Sequence, residues 1–174
     1  MILIGLGANL PSRYGTPEQT LQACMPEFAR LGFPAISASR IYISAPVPVS
    51  DQPWYKNAVC RVETSLSPEE LIKALHRIEH DFGRVREIRN DPRVIDLDLL
   101  AYNDLKQTDA LHIPHPRLHE RAFVLHPLKE IAPDWVHPVL DKTVGQMIKG
   151  LPEGQDIKAL DISLIPVEKL SYGS

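Results

Sequence analysis

An α+β sandwich, with helices packed on a mainly antiparallel sheet, is the fold class that this sequence predicts. Three observations point to it. The elements read in the order strand, helix, strand, strand, helix, strand, followed by small elements. Two of them open on Thr or Ser followed by Pro and, three residues after the cap, Gln or Glu, the pattern of a capped helix start. The 174 residues contain no repeat, low-complexity tract or linker before about residue 150, which suits one sizeable core.

Met1–Leu6 is a short apolar run ended by Gly5 and Gly7, and reads as a buried strand. Thr16-Pro17-Glu18-Gln19 starts a helix carrying Leu21, Cys24, Met25, Phe28 and Leu31 at helical spacing, with Gly32 as its stop. Pro26 inside it removes a backbone hydrogen bond and is expected to bend it. Ile36–Ser44 and Trp54–Thr64 are rich in β-formers and read as strands. The intervening Ala45-Pro46-Val47-Pro48-Val49-Ser50-Asp51-Gln52-Pro53 is a stiff extended loop. Ser67-Pro68-Glu69-Glu70 opens a second helix with a stripe of Leu71, Leu75, Ile78 and Phe82, closed by Gly83. Asp96–Tyr102 is the next strand, Asn103-Asp104 turns out of it, and Arg121–Ile131 reads as a short helix interrupted near Pro127. The two longer helices are expected to cover one face of the sheet.

Apolar and charged fractions of 44% and 24% are those of an ordinary globular chain, which argues against disorder. No apolar run approaches the ~18 residues of a membrane span. The opening MILIGLGANL has no basic start, and its apolar part is too short for a signal peptide. Cys24 and Cys60 read as small buried residues in a reducing cytoplasm, not as a disulfide framework. A net charge of −3 gives no general attraction to nucleic acid or membrane, so an anionic ligand needs a local basic cluster.

Such a cluster stands beside two carboxylates. Asp96 and Asp98 are two apart on a strand, so both side chains face the same way, roughly 7 Å apart at the alpha carbons. Two hard oxygen ligands on one strand suit Mg²⁺, although D-x-D alone marks a solvated face more often. Arg84, Arg86, Arg89 and Arg93 crowd the preceding segment, with Arg121 as a further positive group. A helix dipole accounts for Arg84 and Arg86 but not for Arg89 and Arg93. Guanidiniums beside metal-binding carboxylates are what a polyphosphate needs. No G-x-x-x-x-G-K-[ST] loop or G-x-G-x-x-G fingerprint is present, and Gly5-Leu6-Gly7-Ala8-Asn9 is a weak strand-to-loop turn signal. His112 and His115 have zinc-like spacing but no third ligand near, and suit hydrogen bonding to phosphate or ribose better. His76 and His80 read as surface residues. Glu79, at the edge of the apolar stripe, is placed either to orient an arginine or as an exposed edge residue.

The run Arg89-Asn90-Asp91-Pro92-Arg93-Val94-Ile95-Asp96-Leu97-Asp98-Leu99-Leu100 resembles the signature of the 6-hydroxymethyl-7,8-dihydropterin pyrophosphokinase family. Ile4–Leu10, Asp51–Ala58, Gly83–Arg86 and Pro114–Phe123 are similar to its other blocks, in order, over about residues 1–138. The resemblance implies a ferredoxin-like sandwich and transfer of the β,γ-diphosphate of ATP to a hydroxymethylpterin, giving AMP, in folate biosynthesis. It implies Asp96 and Asp98 as holders of two Mg²⁺ ions, and Arg84 and Arg93 as the residues that stabilise the transferring diphosphate. ATP contacts fall on Glu79, Arg84, Arg86, Arg89, Arg93, Leu99, His112, His115 and Arg121. Pterin contacts fall on Ser44, Ala45, Val47, Tyr55, Asn57 and Phe123, with Tyr55 and Phe123 sandwiching the flat ring.

The chain departs from the family pattern at Asn90 and Asp91, where members often carry Trp and a small residue, and at Ala110 and His112, where some carry Arg and Thr. Residues 1–140 are expected to form the catalytic domain, and 141–174 an extension of a short helix over 143–149 and a tail. ATP and a reduced pterin are the expected partners of a cytoplasmic monomer or weak homodimer. The segment from Arg84 to Pro92, highly charged and with only Val85 and Ile88 to anchor it, is expected to be mobile before ATP binds. Two other readings stay open on the residues alone: another Mg-dependent phosphoryl or nucleotidyl transferase, and a non-catalytic pterin-binding relative.

Overall fold

The computed structural model describes residues 1–84 and 93–167. Its elements are β1 (Ile2–Ala8), α1 (Pro17–Arg30), β2 (Ala35–Ala38), β3 (Arg40–Ser44), β4 (Tyr55–Val62), α2 (Pro68–Asp81), β5 (Asp96–Tyr102), α3 (Ala122–Ile131), α4 (Val144–Lys149) and β6 (Ile157–Ser163). The six strands form one sheet in the order β5-β1-β4-β3-β6, with β2 also paired to β4. Each pairing is antiparallel.

Both capping boxes form. Thr16 accepts the Gln19 N–H while the Gln19 side chain accepts the Thr16 N–H, and Ser67 and Glu70 repeat the exchange. Each satisfies donors that the first helical turn would leave open, worth about 1 kcal/mol per cap. Gly32 and Gly83 follow the two helices at φ +94°, the left-handed conformation in which a side chain would be strained.

Alternation along β1 divides the core. Ile2, Ile4 and Leu6 face α1 and α2, packing with Leu21, Phe28, Leu71, Leu75 and Ile78. Leu3 points the other way, where Val59 and Leu100 meet Val124, Leu125 and Leu128 of α3, and Val144 and Met147 of α4. The two longer helices thus cover one face, as expected, and α3 and the short α4, each with an apolar side, lie on the other. They cover only the Leu3 end of their face. The other end, where β1 carries Gly5 and Gly7, lies open.

Three local expectations are corrected. The strand foreseen over 36–44 is broken at Ser39, whose hydroxyl accepts the Val59 N–H at 3.0 Å and takes the place of a regular rung. The helix foreseen as interrupted near Pro127 continues to Ile131, and Pro127 is buried along with Val124, Leu125 and Leu128. The stretch foreseen as a tail contains β6, which extends the sheet along β3. Among the described residues no helix is long and apolar enough to cross a membrane.

Candidate active site

The uncovered end of the sheet forms the floor of a cleft of about 790 Å³. Its centre line is β1, with Gly5 opposite Asp98 and Gly7 opposite Asp96 on one side, and Gly5 opposite Val59 and Gly7 opposite Asn57 on the other. Two glycines in mid-strand weaken a sheet unless something must come close to the backbone. Here they lower the floor between a carboxylate wall and a polar, aromatic wall. A methyl group at Gly7 would lie 2.9 Å from Asn57 Oδ1.

The polar and aromatic wall contains every residue the sequence assigned to a pterin. Ser44, Ala45, Val47, Tyr55, Asn57 and Phe123 all line the cleft. Asn57, 5% exposed, donates from Nδ2 to Ser44 Oγ at 2.7 Å, which holds both groups at a fixed edge. Phe123 reaches the cleft from the first turn of α3, and the Arg121 guanidinium stacks 5.4 Å from its ring centre. The backbone N–H of Ala45 is already engaged by Asp156 O at 3.1 Å.

The opposite wall is a charge cluster. Arg84 Nη1 donates to Asp96 Oδ1 at 2.7 Å and Arg93 Nη1 to Asp96 Oδ2 at 3.1 Å. Arg84 also pairs with Glu79. Glu79 is 1% exposed, and the Oε2 that meets Arg84 also accepts the Leu97 N–H, at 2.9 Å. It therefore ties α2 to the strand that presents both aspartates. Burial first, then the neighbouring Asp96, pushes the Asp98 carboxyl up to about 7, while Arg121 and Arg84 pull it back.

His115 is held against β5 by its backbone. Its N–H donates to Leu100 O at 2.9 Å, and its Nδ1 accepts the Arg117 N–H at 3.1 Å. Burial, with Arg121 nearby, holds it down to about 4. It is therefore neutral near pH 7, with Nε2 as the protonated, donating nitrogen. Arg93, Asp96, Asp98 and Arg121 line the same cleft as the pterin wall. Glu79 and Arg84 line a second pocket with His76 and His80. Leu99 is buried against the α1–α2 core, so only its backbone is available to a ligand. His112 is exposed. Arg86 and Arg89, the departures Asn90 and Asp91, and the expected motion of their segment lie outside the described residues.

A family model for 7,8-dihydro-6-hydroxymethylpterin-pyrophosphokinase matches residues 3–133. The chain belongs to this family. It is 40% identical over 157 residues to the 2-amino-4-hydroxy-6-hydroxymethyldihydropteridine pyrophosphokinase of Haemophilus influenzae, covering 89% of this chain and 95% of that one. It is also 40% identical over 160 residues to the folic acid synthesis protein FOL1 of Dictyostelium discoideum, covering 90% of this chain and 23% of that protein. The chain thus spans about a fifth of the length of such larger relatives. A crystal structure of Plasmodium falciparum HPPK-DHPS with pterin and p-hydroxybenzoate shares the fold, at a TM-score of 0.69 and 14% identity over 86% of this chain and 43% of that one.

The donor set fits magnesium. Asp98 is a buried carboxyl next to a second one, and a cation relieves the repulsion that raises it. Among the described residues no group of three or more His, Cys, Asp or Glu side chains could hold a metal. A cation on these two carboxylates would take its other ligands from substrate oxygens and water, as Mg²⁺ commonly does.

Several residues of the site were not read from the sequence. Gly5, Gly7 and Asn9 entered only through a weak turn signal and the family-like block Ile4–Leu10, with no role in the site; the two glycines lie inside β1, and Asn9 is 3% exposed. Gln155 accepts the Ala122 N–H at 2.9 Å and donates to Glu120 O at 2.8 Å. It thereby caps α3, whose N-terminal Arg121 provides no side-chain cap, just before Phe123. Nothing in the local sequence marks a glutamine 33 residues on as a helix cap.

Proposed function

We propose that this chain transfers the β,γ-diphosphate of ATP to the hydroxymethyl oxygen of 6-hydroxymethyl-7,8-dihydropterin and releases AMP. The observation that carries this reading is the joining of two chemistries in one cleft. Tyr55 and Phe123, with the polar groups of Ser44 and Asn57, line the same cleft as Gly5, Gly7 and the charged Arg93, Asp96, Asp98 and Arg121. A generic phosphoryl or nucleotidyl transferase needs the second half but not the first. A non-catalytic pterin binder needs the first but not Asp96, Asp98, Arg84 and Arg93 together.

The roles follow from charge and position. Tyr55 and Phe123 hold the ring by its faces, while Asn57, Ser44 and the backbone of Ala45 and Val47 read its edge. This aims the hydroxymethyl group along β1 toward Asp96 and Asp98. Arg84 and Arg93 stabilise the charge on the diphosphate as the oxygen–Pβ bond forms and the bridge to AMP breaks. Arg121 and neutral His115 grip the phosphates, with Arg86 and Arg89 as further contacts; Leu99 and His112 border the nucleotide, and Glu79 acts through Arg84. Asp96 and Asp98 would hold Mg²⁺, two ions on the family pattern, which supplies positive charge to the phosphates. Catalysis here is chiefly positioning and charge neutralisation.

Two free, buried cysteines suit a reducing cytoplasm, and we place the chain there as a monomer or at most a weak homodimer. Incubation with ATP, Mg²⁺ and the reduced hydroxymethylpterin tests the activity. Equimolar AMP and pterin diphosphate are expected, with Asp98→Ala inactive. No AMP above background, or full turnover by Asp98→Ala, overturns the reading.

A further inference from the structure

Asn9 lies where β1 leaves the sheet, outside the residues assigned to either substrate. Three side-chain hydrogen bonds tie it to two separate parts of the cleft. Oδ1 accepts the Arg93 N–H at 2.8 Å. Nδ2 donates both of its hydrogens, to Gln52 Oε1 at 2.9 Å and to Pro53 O at 2.9 Å. The backbone adds to the first link, since Asn9 N–H and Leu10 N–H both donate to Arg93 O, at 3.0 and 3.2 Å.

Each link continues into the site. Beyond Arg93 the guanidinium reaches Asp96 at 3.1 Å. Beyond Gln52, the same Oε1 accepts the Tyr55 hydroxyl at 3.3 Å. A continuous line of polar contacts therefore runs from the carboxylate of β5, through Arg93, Asn9 and Gln52, to the aromatic wall at Tyr55. Both Gln52 and Tyr55 line the cleft, as do Arg93 and Asp96.

Ordinary loop anchoring explains one of these links but not their convergence on one buried amide. Asn is the side chain that does this: one acceptor and two donors in a plane on a short stem. Asp would keep the Arg93 link but set an oxygen against two other acceptors. Leu would remove the partner of the Arg93 N–H and of the Pro53 C=O together and cut both links at once.

We infer that Asn9 is a positioning residue that couples the phosphate side of the cleft to the pterin side, so that binding at one side changes affinity at the other. This rests on the two-substrate reading proposed above. When phosphate draws the Arg93 guanidinium off Asp96, its backbone is held by Asn9, and any shift of that backbone is passed to Gln52 and so to Tyr55. Such coupling is reciprocal, because it is a property of the doubly occupied state.

The test measures binding without turnover. The affinity for 6-hydroxymethylpterin is determined by calorimetry with and without saturating Mg²⁺ and α,β-methylene-ATP, and the ratio of the two is the coupling factor. For the natural sequence a factor in the range of about 5–150 is expected. In Asn9→Asp and Asn9→Ala it should fall to less than about a third of that value. Gln52→Ala should lower it equally while leaving the Arg93 anchor in place, and it tests the inference even if the Asn9 variants fail to fold. A general loss of stability would weaken both affinities but leave their ratio unchanged. A ratio unchanged in Gln52→Ala, or in folded Asn9→Asp, overturns the inference. A natural protein that binds both ligands with a ratio of one also overturns it and leaves the proposed activity standing. Failure of the natural protein to bind either ligand overturns the proposed activity, and this inference with it.

Discussion

Replacing Glu79 with alanine removes the one buried carboxylate that joins α2 to β5. Its Oε2 receives both the Arg84 guanidinium and the Leu97 N–H. Without it the Leu97 N–H is orphaned in the core, costing about 1–3 kcal/mol. Arg84, with a side chain 8% exposed, loses one of its carboxylates. A wholly unpaired buried charge costs about 3–5 kcal/mol, but Asp96 remains at 2.7 Å, which keeps this contribution toward the low end or beneath it. A total of about 4 kcal/mol is expected, or a fall in Tm of about 8–16 °C for a chain of this size. Glu79→Gln keeps a carbonyl oxygen for Leu97 and loses only the charge, so about 1–2 kcal/mol is expected. On the proposed activity both variants release Arg84 from one side and lower kcat more than they raise the KM for the pterin. Thermal and urea unfolding, run beside steady-state kinetics, provide the check. An alanine variant that melts no lower than the glutamine variant would refute the claim that the Leu97 contact is what Glu79 secures.

Gly7→Ala brings a methyl group to 2.9 Å from Asn57 Oδ1 and must push Asn57 off Ser44. A loss of about 1–3 kcal/mol and a pterin KM raised about tenfold (about 1.4 kcal/mol) are expected, whereas Gly5→Ala, whose nearest contact is 3.4 Å, stays near the natural protein in Tm. His115 is held down to about 4 from 6.5, so the unfolded chain takes up its proton first. Its contribution is complete above about pH 6.5 and is lost as pH falls toward 4, by up to about 3 kcal/mol. Because His126 and His137 are lowered too, the readout is the difference from His115→Gln, which should flatten the urea-unfolding profile over that range; an identical profile counts against it. Asp98 is raised, so its charged form costs stability increasingly as pH rises from about 4 to 7. Metal-free Asp98→Asn should therefore melt higher than the natural protein at pH 8 and no higher at pH 4, while losing Mg²⁺-dependent turnover by about a thousandfold; equal Tm at pH 8 would contradict the burial argument.

Much of the fold was legible because its signals are local. Thr16 and Ser67 announce their helices within four residues, and Asp96–Tyr102 forms the strand that its composition foretold. The misread parts depend on partners distant in the chain. Ser39 breaks a strand because Val59 lies opposite, Pro127 stays helical because a core encloses it, and β6 is a strand because the edge of β3 is free to receive it. The site divides the same way. Asp96 and Asp98 are visible as a pair two apart, and the arginines as a crowd. That Asp96 is bound by two of them from different directions, or that Gly5 and Gly7 form a floor, depends on register across three strands.

The same register explains how one cleft can serve both a flat ring and a polyphosphate. In the free protein Asp96 is neutralised by Arg84 and Arg93, so neither the anion nor the cations are left exposed in a half-buried wall. On the proposed reading, substrate binding is an exchange of partners: a cation replaces the arginines at the carboxylates, and phosphate oxygens replace the carboxylates at the arginines. Each charge stays paired throughout, so little of the several kcal/mol lost when a buried charge is stranded needs to be supplied. The exchange leaves the backbone hydrogen bonds intact, because the groups that hold the backbone are not the ones that swap, so a backbone shift at Arg93 is transmitted through Asn9 and not dissipated. Glu79 holds Leu97 by its N–H, Asn9 holds Arg93 by its N–H, and His115 is held by Leu100 O. Side chains that must change partners are carried on backbone that does not, which is what a reaction governed by positioning requires.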